Sequence, residues 1–296
     1  MKFSLRLSAP LHILIVSDGK AGHENQSLGL AEAMSRLVAV EIHVLRLEID
    51  RNPITRVFNA LAASRKFPTP DVVISAGHST HFSILAIARA TGASSIVLMK
   101  PGLPMCWFDW CIAPEHDFKI VPNHPHVILS KGALNRVVPT NGERSEKWFL
   151  IGGPSKIHGF DEERLISQIR DIASDGTWQV ADSRRTPSDF LKKIQKEIPS
   201  ITVIPHQETG QGWLAEKLSR AEEVWVSEDS VSMVYEALTG GAKVGVLEMP
   251  RLKPDARVIR GLEKLKAERY LMGENGKPEL PRLAEADRCA GVILGS

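Results

Sequence analysis

The stretch Leu11-His12-Ile13-Leu14-Ile15-Val16-Ser17-Asp18-Gly19-Lys20-Ala21-Gly22-His23-Glu24-Asn25 decides the fold. Its first half is a nearly unbroken apolar run of the length of one buried strand. Its second half is a polar turn with two glycines, and a helical pattern follows near 24–38. Strand, glycine turn and helix open a βαβ unit. The alternation continues outward, with strands predicted near 40–47, 71–76, 94–99 and 109–113 and helices near 53–63 and 80–91.

The segment 115–146 interrupts this rhythm. It carries His116, Pro122, Asn123, Pro125, Pro139, Asn141 and Gly142, which are breakers and turn formers, around a short strand near Val127-Ile128-Leu129. A second series follows. Its strands are predicted near 147–152, 178–181, 201–204, 223–227 and 243–247, and its helices near 161–173, 187–197, 211–220, 231–239 and 255–268. The expected fold is α/β, with two doubly wound Rossmann-like domains facing a cleft: 1–130, a linker over 131–146, and 147–296. Glu285 to Ile293 reads as a helix packing back across the domains.

Composition narrows the class. Lys and Arg total 37 against 35 Asp and Glu, a net charge of +2 without basic runs, so no nucleic-acid partner is expected. No stretch reaches the roughly 18 apolar residues of a membrane span. MKFSLRLSAP lacks the apolar core of a signal peptide and reads as a short tail. Cys106, Cys111 and Cys289 fit no metal spacing, and an odd count suggests reduced thiols and a cytoplasmic setting.

Five turns carry the chemistry. In Asp18-Gly19-Lys20-Ala21-Gly22-His23, glycines admit a ligand to the backbone and the following helix offers its positive end. His23 at the mouth of that helix is favoured in its neutral form, as a general base requires. Neither G-x-x-x-x-G-K-[ST] nor G-x-G-x-x-G is present. Gly77-His78-Ser79-Thr80-His81 repeats the strand–turn–helix pattern, with Ser79 or Thr80 placed to cap the helix. His78 and His81, three apart, have the spacing of two metal ligands, but no third is evident and no metal is expected. Gly152-Gly153-Pro154-Ser155 suits a phosphate turn or a cleft floor. In Ser183-Arg184-Arg185-Thr186-Pro187, two guanidinium groups precede a helix whose N-cap and first residue read as Thr186 and Pro187, an anion site. In Asp229-Ser230-Val231-Ser232, hydroxyls and amides at a helix start suit a phosphate. Glu236, one turn beyond Ser232, is placed to accept both hydroxyls of a ribose.

SDGKAGHENQSLGLAEAM, ISAGHSTHF, FDWCIAPEHDF, IGGPSKIHGF, SRRTP and SEDSVSMVYEALTGGAKVGV, in that order from about 12 to 250, resemble the mitochondrial-fission "elongated mitochondria" family. Its bacterial members are labelled predicted nucleoside-diphosphate-sugar epimerases. Where that family has Asn-Pro-Tyr, this chain has Glu208-Thr209-Gly210-Gln211-Gly212-Trp213. More distantly the layout is similar to GT-B glycosyltransferases, such as the lipid-linked N-acetylglucosaminyltransferase of peptidoglycan synthesis. Gly22-His23, Ala76-Gly77-His78, Gly152-Gly153-Pro154-Ser155 and Ser230 to Gly241 carry that similarity. The resemblance implies a GT-B-like glycosyltransferase holding a nucleoside-diphosphate sugar in the C-terminal domain. Glu236 would bind the ribose, Ser230, Ser232 and Arg184 the diphosphate, and His23 would face the acceptor.

A hydride-transferring epimerase needs a Tyr-x-x-x-Lys pair. Here Tyr235 is followed four residues on by Thr239, and Tyr270 by Glu274. A non-hydrolysing epimerase of GT-B form, which needs no cofactor beyond its nucleotide sugar, stays open. So does a non-catalytic scaffold that recruits a protein partner. The apolar run Leu103-Pro104-Met105-Cys106-Trp107-Phe108 suits either a buried core or peripheral contact with a membrane carrying a lipid-linked acceptor.

Overall fold

The computed structural model describes residues 10–48, 52–210, 212–273 and 282–295. The start of the chain up to Ala9, read as a tail, and Gln211 lie outside the described residues. The chain divides into two compact units, Met1–Arg136 with Ala284–Ser296, and Val137–Leu283.

In the first unit the order is β1 (Leu11–Ser17), α1 (Ala21–Ser35), β2 (Val40–Arg46), α2 (Pro53–Ser64), β3 (Val72–Ala76), α3 (His81–Thr91), β4 (Ser94–Leu98), β5 (Trp110–Pro114) and β6 (Val127–Ser130). Among the described residues they form one parallel sheet in the order β2-β1-β3-β4-β5-β6. Both faces of β1 are covered, which is why its apolar run scarcely alternates. Ile13 and Ile15 pack with Leu30 and Met34 of α1 on one face. Leu14 and Val16 pack with Ile84 and Ile87 of α3 on the other. Helix α1 begins three residues before its expected start, because the Lys20 carbonyl already accepts the amides of His23 and Glu24, both at 3.0 Å. Gly22 and His23 therefore lie inside its first turn rather than ahead of it.

The second unit runs β7 (Glu146–Leu150), α4 (Glu162–Ile172), β8 (Trp178–Ala181), α5 (Phe190–Glu197), β9 (Thr202–Ile204), α6 (Trp213–Arg220), β10 (Ala221–Ser227), α7 (Val231–Gly240), β11 (Lys243–Leu247) and α8 (Arg257–Ala267). Its parallel sheet has the order β11-β10-β7-β8-β9. Trp148 and Leu150 of β7 face α6 and α7 with Leu218, Val234 and Leu238, while Phe149 faces α4 and α5 with Leu165, Ile169, Phe190 and Ile194. Helix α5 starts at Phe190, not at Pro187. Thr186 does not cap it. Its hydroxyl donates to the Ile151 carbonyl (3.1 Å) and to that of Gly152, so it staples the turn after β8 to the end of β7.

The last helix, α9 (Glu285–Leu294), belongs to the first unit, where the expected division placed it with the second. Ala286, Cys289, Ala290 and Ile293 form a helical i, i+3, i+4, i+7 stripe that is buried in the core beside α1. Arg36 pairs with Asp287 at 2.5 Å, and the Lys131 amide donates to Glu285 at 2.8 Å. The crossing from one unit to the other falls between Arg136 and Val137, with Leu134 in the first core and Val137 in the second. Since α9 completes the first core, Ile293→Ala should cost about 2–5 kcal/mol. Val292→Ala, at an exposed position on the same helix, should cost under about 0.5 kcal/mol. Urea denaturation of both variants measures the contrast.

Candidate functional site

In the first sheet the chain leaves β1 toward β2 on one side, while β3 lies on the other. The turns after β1 and β3 therefore diverge at the carboxyl ends of the strands, where such sheets hold ligands. Asp18, just beyond β1, stands there with its carboxylate wholly shielded from solvent. It accepts from His23 Nδ1 at 3.0 Å, from the Ser79 hydroxyl at 3.2 Å and from the Lys20 amide at 3.2 Å, and the Lys20 ammonium lies 3.4 Å away. Burial acts to raise its pKa. The Lys20 amide, His23 and the Lys20 charge outweigh that and hold the carboxyl below its ordinary value. An ionised Asp18 requires the proton on Nδ1 of His23, which leaves Nε2 as the basic nitrogen.

Gly77 is what lets the histidine sit there. Its φ is +92°, and a Cβ on it would lie 2.5 Å from His23 Nδ1. Gly19, with φ +76°, and Gly22 have open space where a Cβ would stand, so the backbone of the Asp18–His23 turn is approachable. Lys20, His23, Gly77, His78, Ser79, His81, Met99 and Lys100 line a concavity of about 380 Å³, within the size range of small-ligand pockets. Met99 holds a left-handed φ of +71° on its rim, a strained backbone for a residue with a side chain. Neither expected cap forms on α3. Ser79 is drawn to Asp18, and the Thr80 hydroxyl donates to the Gly77 carbonyl at 2.8 Å.

His78 is exposed and His81 is buried, with ring centroids 5.2 Å apart. Among the described residues no third ligand joins them; the one cluster of metal-ligand type is His12, Glu41 and His43. On the same unit, α2 and α3 expose Ile54, Phe58 and Phe82, which with Trp107 line an apolar groove. The Leu103–Phe108 run is thus divided: Phe108 is core and Trp107 is surface. No helix of the described residues is long and apolar enough to cross a membrane.

The second unit reverses its strand order between β7 and β10, and again a shielded carboxylate stands at the reversal. Asp229 accepts from the Gly153 amide at 3.0 Å, from the hydroxyls of Ser227 (2.7 Å) and Ser230 (3.1 Å), and pairs with Arg185 at 2.7 Å. The Gly152 amide donates to Ser227 Oγ at 2.7 Å. The diglycine amides are therefore engaged inside the protein and build the floor of the turn. Glycine is required at both positions: a Cβ at 152 would strike Asp229 and Ser230, and one at 153 the Arg185 backbone.

The structure brings together Gly152, Gly153, Arg185, Asp229 and Ser230, and gives the other predicted residues different work. Ser155 Oγ accepts the amides of Ile157 and His158, and Ser183 Oγ lies against Thr186. Both hydroxyls stabilise their own turns. Arg184 is exposed and has no ion-pair partner among the described residues. Ser232 is exposed on α7, and Glu236 half-buried one turn beyond it.

One cluster, built around the buried Glu228 and His158, had no role in the sequence reading. Glu228, next to Asp229, is paired by Arg251 at 2.7 Å, which also holds Glu263 at 2.5 Å. His158 packs beside Glu228, and burial pushes its pKa down against the pull of the two acidic neighbours. The acidic doublet Glu228-Asp229 at a strand end was the signal available, but its partner lies 23 residues away.

These two units, each a parallel α/β sheet with its polar turns at the reversal of strand order, define a protein of Rossmann-like, GT-B type. Comparison with solved structures agrees. The UDP-GlcNAc 2-epimerase of Neisseria meningitidis, solved bound to UDP-GlcNAc, is similar with a TM-score of 0.57, 13% identity and coverage of 96% of this chain and 99% of that one. The MurG of Acinetobacter baumannii is similar with a TM-score of 0.52, 12% identity, and coverage of 96% and 91%. At such identities the likeness concerns the fold. An uncharacterized protein of Rickettsia prowazekii (strain Madrid E), RP120, is 23% identical over 306 residues, 81% of this chain and 84% of its own length. The chain belongs to the Mitochondrial fission ELM1 family, which it matches over residues 21–296.

His81 provides a pH test of the first site. Burial first, and the charge of His78 second, push its pKa down from 6.5 to about 4. The folded protein therefore resists a proton that the unfolded chain accepts. Its contribution to stability is complete above pH 6.5 and is lost as the pH falls toward about 4. NMR titration of the His81 ring should give that low midpoint. Urea denaturation should show stability falling across the same window, with a shallower slope in His81→Gln.

Proposed function

We propose that the protein is a glycosyltransferase whose second unit binds a nucleoside-diphosphate sugar and whose first unit supplies the base that activates the acceptor. The observation that carries this reading is the Asp18–His23 pair at a small-ligand pocket. A buried carboxylate that fixes one ring nitrogen leaves the other to take a proton, the arrangement of a general base. The acceptor hydroxyl gives its proton to His23 Nε2 as its oxygen bonds to the anomeric carbon. The bond from that carbon to the diphosphate breaks, and its electron pair stays on the diphosphate oxygen.

On the donor side, Arg185 is already neutralised by Asp229, whereas Arg184 on the same turn has no ion-pair partner among the described residues. Arg184 and the amide end of α7 are therefore the groups that would stabilise the leaving diphosphate, and no metal is needed for that charge. Ser230 and Ser232 at the same helix end, and Glu236 toward the ribose, complete the proposed donor set. Gly152, Gly153, Asp229 and Arg185 would act by holding this turn in place. The exposed apolar groove over α2 and α3 of the same unit favours an acceptor with an apolar or lipid-linked portion.

Calorimetric titration with UDP, GDP, ADP and CMP, beside the Glu236→Ala variant, tests the donor site. The expected result is micromolar binding of one nucleotide, weakened at least about tenfold in the variant, or about 1.4 kcal/mol. With the sugar nucleotide so identified and an alkyl or lipid-linked acceptor, His23→Ala should lower turnover about 10²–10⁴-fold while leaving nucleotide binding unchanged. Isomerised donor without transfer would make the protein a non-hydrolysing epimerase. No binding of any nucleotide would overturn the reading in favour of a non-catalytic scaffold.

A further inference from the structure

The two edge-side strands of the first unit break their own pattern at one end. On β1 the side chains facing α2 and α3 are His12, Leu14 and Val16. On β2 they are Glu41, His43 and Leu45, by the period of two along each strand. Leu14, Val16 and Leu45 enter the core under those helices. Their neighbours on the same face are not apolar: His12 pairs in register with Glu41, and Leu14 with His43. Two imidazoles and a carboxylate thus occupy three adjoining positions where packing alone would select Val, Ile or Leu.

Their geometry is that of a ligand set. His12 Nδ1 lies 3.3 Å from Glu41 Oε2, and His43 Nε2 lies 4.0 Å from the same oxygen. One ligand atom from each residue falls within 4.8 Å of the others. A tetrahedral ion with bonds of about 2.0–2.2 Å spaces its ligand atoms roughly 3.4 Å apart. The observed spacing reaches that with small side-chain rotations. Both ring nitrogens are shielded from solvent and make no hydrogen bond. A buried polar nitrogen without a hydrogen bond is costly and calls for an explanation. The Glu41 side chain is half exposed, which leaves an open side for a water ligand.

We propose that His12 Nδ1, His43 Nε2 and the Glu41 carboxylate form a binding site for a divalent transition-metal ion of the zinc type. Two imidazoles and one carboxylate suit Zn²⁺ and disfavour Mg²⁺, which prefers oxygen ligands. The site is distinct from the Asp18 pocket. It lies at the amino ends of β1 and β2, about 20 Å along the strand from Asp18 at roughly 3.3 Å per residue. An ion there bridges edge strand β2 to β1, so its effect is to clamp the sheet edge rather than to take part in sugar chemistry.

The test is titration of the metal-stripped protein with Zn²⁺ and with Co²⁺, whose visible absorption reports coordination geometry, alongside His43→Gln and Glu41→Gln. The expected result is one ion per chain, a tetrahedral Co²⁺ spectrum, a higher Tm with Zn²⁺ and no competition from excess Mg²⁺. His43→Gln should weaken binding at least about tenfold, and the exposed Glu41→Gln change should weaken it with the fold intact by circular dichroism. The proposal is overturned if the wild-type protein takes up no Zn²⁺. It is equally overturned if both variants bind as the wild type does, which would place the ion on other histidines such as His124 and His126.

Discussion

A buried carboxylate at the reversal of strand order governs each half of this molecule. Asp18 and Asp229 carry charges that burial makes costly, so each must be surrounded by donors. Besides donors of its own turn, each takes donors from other turns: Ser79 after β3 for Asp18, and Gly153 after β7 with Arg185 after β8 for Asp229. Each carboxylate thereby ties together loops that the sheet topology would otherwise let diverge. The required glycines follow from the same packing. Gly77 leaves room for the His23 ring, and Gly152 and Gly153 let the backbone pass beside Asp229 and Arg185.

The two carboxylates are neutralised differently, and the difference separates the chemistry of the units. Asp18 leans on a histidine that keeps one nitrogen in reserve, on an approachable glycine turn. Asp229 pairs with the Arg185 guanidinium and rests beside a second ion pair, the buried Glu228 with the exposed Arg251. The first arrangement is suited to moving a proton. The second is suited to rigidity, with binding left to the groups around it. This division favours Arg184 over its neighbour Arg185 as the cation available to a ligand.

Much of this architecture is written in local patterns. The apolar runs that became β1 and β7, and the helical stripes of α3 and α7, specify themselves within a few residues, and the turns between them announce ligands by their glycines and hydroxyls. What is not local is not legible in the same way. Nothing near Thr186 signals that the Gly152 carbonyl will claim its hydroxyl, so α5 was expected three residues early. Nothing near Asp18 names His23 as its partner rather than the helix amides. The α9 stripe shows a helix, but only the folded sheet shows which core lacked a cover. The His12, Glu41 and His43 trio was invisible for the same reason, since it exists only in the register of two strands.

The most direct test is an amide NMR titration of the intact protein with UDP, GDP and ADP in turn. The account predicts saturable shifts concentrated at Gly153, Arg184, Arg185, Asp229, Ser230 and Ser232, around the second buried carboxylate. Shifts confined to the first unit, or absent from the turn after β10 while the nucleotide is bound, would contradict it.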